Sequence, residues 1–189
     1  AQKYVLRIMT RKYGEGSVAL VPTLEQIGRW YTSIGAYDQS RRTLREAIEI
    51  VEGAEGDKSL KLVEPLLALS MCNRRQLMDP TQQQLATADS ERATMFHDAD
   101  GATVPMGYSP GMMLAEGERS LQRAAAIVDS HADAPAVQVL SVRTQLGDWY
   151  QARQQFDKAL PAYQQAWRSA VGQTLDGKPL VERLFGRPV

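Results

Sequence analysis

The sequence predicts an all-α chain arranged as an α-solenoid, a row of stacked antiparallel helix pairs. Three observations carry this: the chain repeats itself, apolar residues inside each copy recur at helical spacing, and no strand-length alternation of apolar and polar residues competes. Sliding the chain by 42 residues superimposes Gly14 on Gly56, Ser17 on Ser59, Leu20 on Leu62, Val21 on Val63, Leu24 on Leu66 and Ile27 on Leu69. An offset of 119 lays Ile27-Gly28 on Leu146-Gly147, Trp30-Tyr31 on Trp149-Tyr150, Tyr37 on Phe156 and Ala47 on Ala166. An offset of 77 lays Leu44 on Leu121, Ala47 on Ala124 and Ile50-Val51 on Ile127-Val128. One insertion of 35 residues in the middle copy reconciles the three offsets.

The elements follow in chain order as a single domain, 1–189. Applied backwards, the 42-residue offset places Leu6 under Ile48 and Met9 under Val51, so residues 1–13 read as the second helix of an earlier copy. The chain is therefore expected to be a piece of a longer protein. Residues 14–55 form the first whole copy. Leu20, Leu24, Ile27 and Tyr31 make one helical stripe, Leu44, Ala47, Ile48 and Val51 make the second, and Gly35 marks the turn between them. Residues 56–132 form the second copy, interrupted at about 79–113. Asp79-Pro80 is a helix-start signal, which predicts an extra helix over 82–95. A loop is expected after it, from His97 through Pro105, Gly107, Pro110 and Gly111. This insertion reads as a surface excursion, or as a lid contacting a ligand through Met106, Tyr108, Met112 and Met113. Residues 133–175 form the third copy. Past an Asp176-Gly177 turn, Leu180, Val181, Leu184 and Phe185 predict a capping helix and tail over 178–189.

The third copy carries a signature: Leu146-Gly147, Trp149-Tyr150, Phe156, Ala159, Tyr163 and Ala166. It resembles the tetratricopeptide repeat, and the first copy matches through Leu24, Ile27-Gly28, Tyr31, Leu44 and Ala47. The 42-residue period and the Tyr13-Gly14 turn resemble the kinesin-light-chain-like variety. The resemblance implies a right-handed superhelix whose first helices line a concave peptide-binding groove, with small residues at Gly28, Gly147, Ala47 and Ala166 where paired helices approach. Three residues depart from the pattern: Ser70 where Gly is expected, Asn73 where Tyr is expected, and Arg143 where a large apolar residue is expected.

Composition narrows the function classes. The 189 residues carry 22 basic and 22 acidic side chains, and a balance of zero with pI near 7.0 argues against nucleic acid as the main ligand. No apolar run reaches the roughly 20 residues of a membrane span. One cysteine, Cys72, forms no internal disulfide and leaves the compartment open between cytoplasm and bacterial periplasm. Motifs for chemistry fail on inspection. The stretch 172–179 follows phosphate-loop spacing until Pro179 replaces the hydroxyl residue. Taking Asp98 as the start of a calcium loop puts Thr103 and Ser109 where Gly and Glu are required. His131 reads as a helix-end residue and Cys72 as a packing residue. No catalytic residue, metal site or cofactor is assigned, and the chain is expected not to be an enzyme.

The expected functional surface is the groove. Beside the core stripe of the first copy, Glu25, Arg29, Thr32 and Ser33 share a helix face. The 42-residue offset adds Leu67, Met71, Arg74 and Arg75, and the 119-residue offset adds Thr144, Asp148, Gln151 and Ala152. Arginines in its middle suit a protein or peptide carrying acidic residues or a free C-terminal carboxylate. The same arginines read equally as solvated or internally paired, as Glu25 with Arg29. The leading function is a scaffold or adaptor that holds a partner segment. The alternative is self-association through a terminal repeat face or the insertion, and the least favoured is a metal-dependent enzyme at His97 and its neighbouring aspartates.

Overall fold

The computed structural model describes the backbone of residues 2–81, 96–97, 103–104, 109–171, 174–175 and 178–179, and the side chains of 4–81 and 109–171. The packed body is helical: α1 Gln2–Tyr13, α2 Val21–Ser33, α3 Tyr37–Glu55, α4 Val63–Met78, α5 Pro110–Ser130, α6 Ala136–Ala152 and α7 Phe156–Ala170. Two two-residue antiparallel pairings also form, Phe96–His97 with Thr103–Val104 and Thr174–Leu175 with Lys178–Pro179.

Local chemistry sets the helix ends, and it repeats. Ser17 accepts a hydrogen bond from the Ala19 amide at 3.3 Å, and Ser59, 42 residues on, accepts one from Lys61 at 3.2 Å. Each opens a 3₁₀ turn, Val18–Leu20 or Leu60–Leu62, that leads into α2 or α4. Between α2 and α3, Gly35 takes φ +78°, a left-handed conformation that costs glycine little. Between α6 and α7 the matching position is Gln154, also left-handed at φ 58°. The backbone hydrogen bonds agree: Ala36 donates to Tyr31 O and Gln155 to Tyr150 O, both at 2.9 Å.

Helices adjacent in sequence pack as pairs, α2 with α3, α4 with α5, and α6 with α7. Successive pairs meet through α3 on α4 and α5 on α6, while α1 packs on α2. The first helices also touch in series, α2 on α4 and α4 on α6. A large core runs through these helices, and Leu140, Ala166 and Ala170 form a second, smaller cluster between α6 and α7. In the large core Leu24, Leu44, Val51, Leu62, Val63 and Val142 are at 0% exposure. Burying each such side chain contributes roughly 1.5–3 kcal/mol.

Close approaches within and between pairs are made at glycine. A Cβ on Gly28 would lie 2.6 Å from Leu44, and one on Gly147 would lie 2.6 Å from Tyr163. Gly117 of α5 makes room for Trp149 of α6, whose ring would sit 2.2 Å from an added Cβ. Ser70, the middle copy's departure from glycine, is buried.

The structure describes both flanks of the insertion. α4 stops at Met78, and Asp79 accepts the Thr81 amide at 3.0 Å as the cap of a new helical turn. At the far side Ser109 caps α5, accepting the Met112 amide at 3.2 Å, and Pro110 occupies its first turn. Pro110 through Met113 are thus helix, not loop, and Met113 is part of the core. Ser109-Pro110 is the same signal as Asp79-Pro80 and was legible in the sequence. The helix expected over 82–95 and the contacts expected from Met106 and Tyr108 lie outside the described residues. Lys178–Pro179 is extended and paired, so no capping helix begins at residue 178; residues 180–189 lie outside the described residues.

Candidate functional site

The side-by-side contact of α2, α4 and α6 makes the surface on which the expected groove residues fall. On α2, Arg29 is engaged twice: its Nε donates to Glu25 at 2.8 Å, one turn away, and its Nη2 donates to Glu64 of α4 at 3.0 Å. Ser33 is exposed and donates to Trp30 O at 2.8 Å. Thr32 is not on the surface. It is buried, with its hydroxyl 3.2 Å from Gly28 O and 2.8 Å from Ser40 Oγ.

On α4 the expected row divides. Leu67 is core at 1% exposure, so it offers no apolar pocket, whereas Met71 is half-buried. Arg74 reaches toward α6, its Nη1 3.8 Å from Asp148 Oδ2, a separation longer than a hydrogen bond. Arg75 is exposed and acts in another direction, since its charge favours the phenolate of Tyr37 on α3. The two adjacent arginines do not form one basic patch.

On α6, Thr144 is half-buried and Ala152 exposed. Asp148 and Gln151 share one donor, the Tyr163 hydroxyl of α7, at 2.7 Å each. Tyr163 lies over Gly147, which explains why the position one residue before Asp148 lacks a side chain. Burial first, then the Asp148 carboxylate beside it, pushes the Tyr163 pKa up to about 12, while Arg74 opposes the shift. The resulting surface is a chain of alternating charge: Glu25 and Glu64 on Arg29, then Asp148 near Arg74.

The sequence reading missed a buried polar network beside this surface. Arg41 of α3, 3% exposed, donates to Asn73 Oδ1 at 3.4 Å and to Gln76, and pairs with Asp38 at 2.5 Å. Asn73 in turn donates to Glu116 of α5 at 2.8 Å, and Arg45 Nε donates to the same carboxylate at 3.0 Å. Arg143, half-buried, pairs with Asp129 across α5 and α6. The available signal was the set of departures itself, Asn73 and Arg143 among them, because a polar residue in an apolar register needs a partner.

The other candidates are placed as follows. Cys72 is fully buried, with Sγ 3.6 Å from Tyr37 O. His131 follows the last residue of α5, and its Nδ1 donates to Ile127 O at 2.9 Å. Among the described residues no cluster of three or more His, Cys, Asp or Glu side chains is arranged to hold a metal ion, and no helix is long and apolar enough to cross a membrane. The side chains of His97, Asp98 and Asp100 lie outside the described residues. No protein-family model matches this chain, and no curated protein sequence matches it.

Proposed function

We propose that the chain is a tetratricopeptide-like, right-handed α-solenoid that binds an extended segment of a protein partner along α2, α4 and α6. The observation that carries the reading is the order of contacts. Each first helix touches the next first helix, so their outward side chains form one polar strip. The 3.8 Å separation of Arg74 from Asp148 leaves room for an incoming carboxylate to take the closer position. Arg29 is already held by two carboxylates, so an acidic ligand engages it only in competition with Glu25 and Glu64.

The test is a peptide array probed with the labelled chain and with its Arg74→Glu variant. Retention on acidic peptides is expected to fall at least fivefold in the variant. Equal retention by both proteins removes this reading.

Self-association is the second reading, and α7 favours it. Phe156, Leu160 and Trp167 are each more than half exposed and share one face of α7, Leu160 four and Trp167 eleven residues after Phe156. The exposed Val171 follows just past the helix end. Sedimentation at several concentrations would show a mass that rises with concentration and returns to the monomer in Trp167→Glu.

A further inference from the structure

A second cleft lies away from the α2, α4 and α6 strip, between α1 and α3, and encloses about 610 Å³. Its apolar lining comes from Leu6 of α1 and from Leu24, Ile27 and Tyr31 of α2. Arg7 and Arg11, one helical turn apart on α1, give it a basic side, and Glu46 of α3 with Glu15 after α1 gives it an acidic one. Among the described residues none of these four charges makes an ion pair within 4.0 Å. The Arg7 guanidinium carbon lies 5.7 Å from the centroid of the Tyr4 ring.

The internal repeat shows what this place holds elsewhere. Thr10 and Glu46 correspond by the 42- and 77-residue offsets to Glu52 of α3 and Arg123 of α5, which pair at 2.5 Å. Arg123 also donates to Asp57 O at 3.0 Å, so the second site is bridged. By the 119-residue offset, Thr10 and Leu24 correspond to Asp129 and Arg143, which pair across α5 and α6, the counterpart of the neighbouring α1–α2 contact. The equivalent α3–α5 site is bridged by an internal ion pair. The α1–α3 cleft is open, apolar inside and charged with opposite signs on its two sides.

We propose that the α1–α3 cleft binds a peptide segment whose apolar side chain is flanked by an acidic residue toward Arg7 and Arg11 and a basic residue toward Glu46. The ligand thereby supplies the charges that Glu52 and Arg123 supply internally at the equivalent α3–α5 site. Its apolar side chain takes the place on the half-buried Leu6 and Tyr31 that water otherwise covers, above the buried Leu24 and Ile27.

The test is an array of hexapeptides with Leu or Phe at the centre and Lys and Glu at the flanking positions, in both orders and at every spacing, beside glycine-substituted controls. The labelled chain is expected to retain peptides carrying both charges at least tenfold more than the controls. Thr10→Phe, which fills the cleft without changing charge, is expected to abolish that difference. Arg7→Glu with Arg11→Glu, both at exposed positions, is expected to lower it at least tenfold, and circular dichroism checks that each variant remains helical. Equal retention of charged peptides and controls overturns the proposal, and so does retention that survives Thr10→Phe. Arg74→Glu leaves this binding unchanged; binding lost in Arg74→Glu and kept in Thr10→Phe would locate the peptide on the α2, α4 and α6 strip instead and overturn the cleft.

Discussion

Asn73 and Glu116 are joined by a 2.8 Å hydrogen bond across α4 and α5, the two helices that flank the insertion. Asn73 is 0% exposed and also accepts from the buried guanidinium of Arg41, so it couples α3, α4 and α5. The residue that departs most visibly from the repeat pattern is therefore the link that keeps the interrupted copy in register. Replacing it with Leu keeps the volume and removes both hydrogen bonds, leaving buried polar groups without a partner. Asn73→Leu is expected to lower the unfolding free energy by roughly 1–3 kcal/mol in urea titration. Glu116→Gln, which retains an acceptor for the Asn73 amide, should cost less.

Gly117 and Trp149 set the junction between the second and third copies. With no side chain at Gly117, the indole six-membered ring occupies that space, and Trp149 is 3% exposed. Its Nε1–H has no described hydrogen-bond partner, so packing rather than polar contact holds it. Gly117→Ala forces the ring to move and is expected to cost about 1–3 kcal/mol. Trp149→Phe removes the atoms that would clash. The double variant should be destabilised by less than the sum of the two single changes, and a thermodynamic cycle measures the difference.

Gln154 holds the left-handed position that Gly35 holds in the first copy. A side chain there costs roughly 1–2 kcal/mol, offset by glycine's greater freedom in the unfolded chain, about 0.5–1 kcal/mol. Gln154→Gly should therefore stabilise the protein by roughly 0.5–1 kcal/mol, read as an increase in Tm of about 1–4 °C. A lower Tm would show that the Gln154 side chain contributes contacts worth more than the strain.

Tyr37 and Tyr163 titrate late. Burial first and then the Asp79 carboxylate push the Tyr37 pKa up to about 12, and burial with Asp148 does the same to Tyr163. Each hydroxyl is a donor in the folded state and loses that role on ionising. The folded pKa lies above the unfolded value near 10, so their contribution is fully present below pH 10 and is lost as the pH rises toward 12. Ultraviolet titration of phenolate should show one late-titrating residue fewer in Tyr163→Phe and two fewer in the double Tyr37→Phe, Tyr163→Phe variant. Stability of the double variant should be flatter between pH 10 and 12 than that of the unchanged chain.

The helix pairs were legible because a period is a long-range signal: Gly14 on Gly56 and Ser17 on Ser59 identify the same cap and turn twice. Side-chain exposure was less legible. Spacing of three and four residues places Leu67 and Thr32 on a common face with Arg29 and Arg74, yet it does not say how wide the buried face is. α4 is enclosed by α2, α3, α5 and α6, and Leu66 through Ser70 are all buried, so its exposed strip is narrow. The ion pairs were hidden for a different reason. Arg29 and Glu64, Arg74 and Asp148, and Arg123 and Glu52 belong to different helices, and only the packing brings their charges together.

The competition at Arg29 makes a directional prediction for the polar strip. Glu25 and Glu64 satisfy two of the guanidinium nitrogens, and the pairs are partly exposed, so each is worth about 0.5–1 kcal/mol at most. Replacing both carboxylates by amides in Glu25→Gln with Glu64→Gln keeps their shape and frees the charge of Arg29. An acidic peptide retained on the strip should then bind about two- to fivefold more tightly in anisotropy titration at low salt, and the gain should shrink as ionic strength rises. Adding Arg29→Gln to the double variant should return the affinity to that of the unchanged chain or below it. An affinity indifferent to all three changes would place acidic peptides elsewhere than beside Arg29, with Arg74 as the remaining cation between α4 and α6.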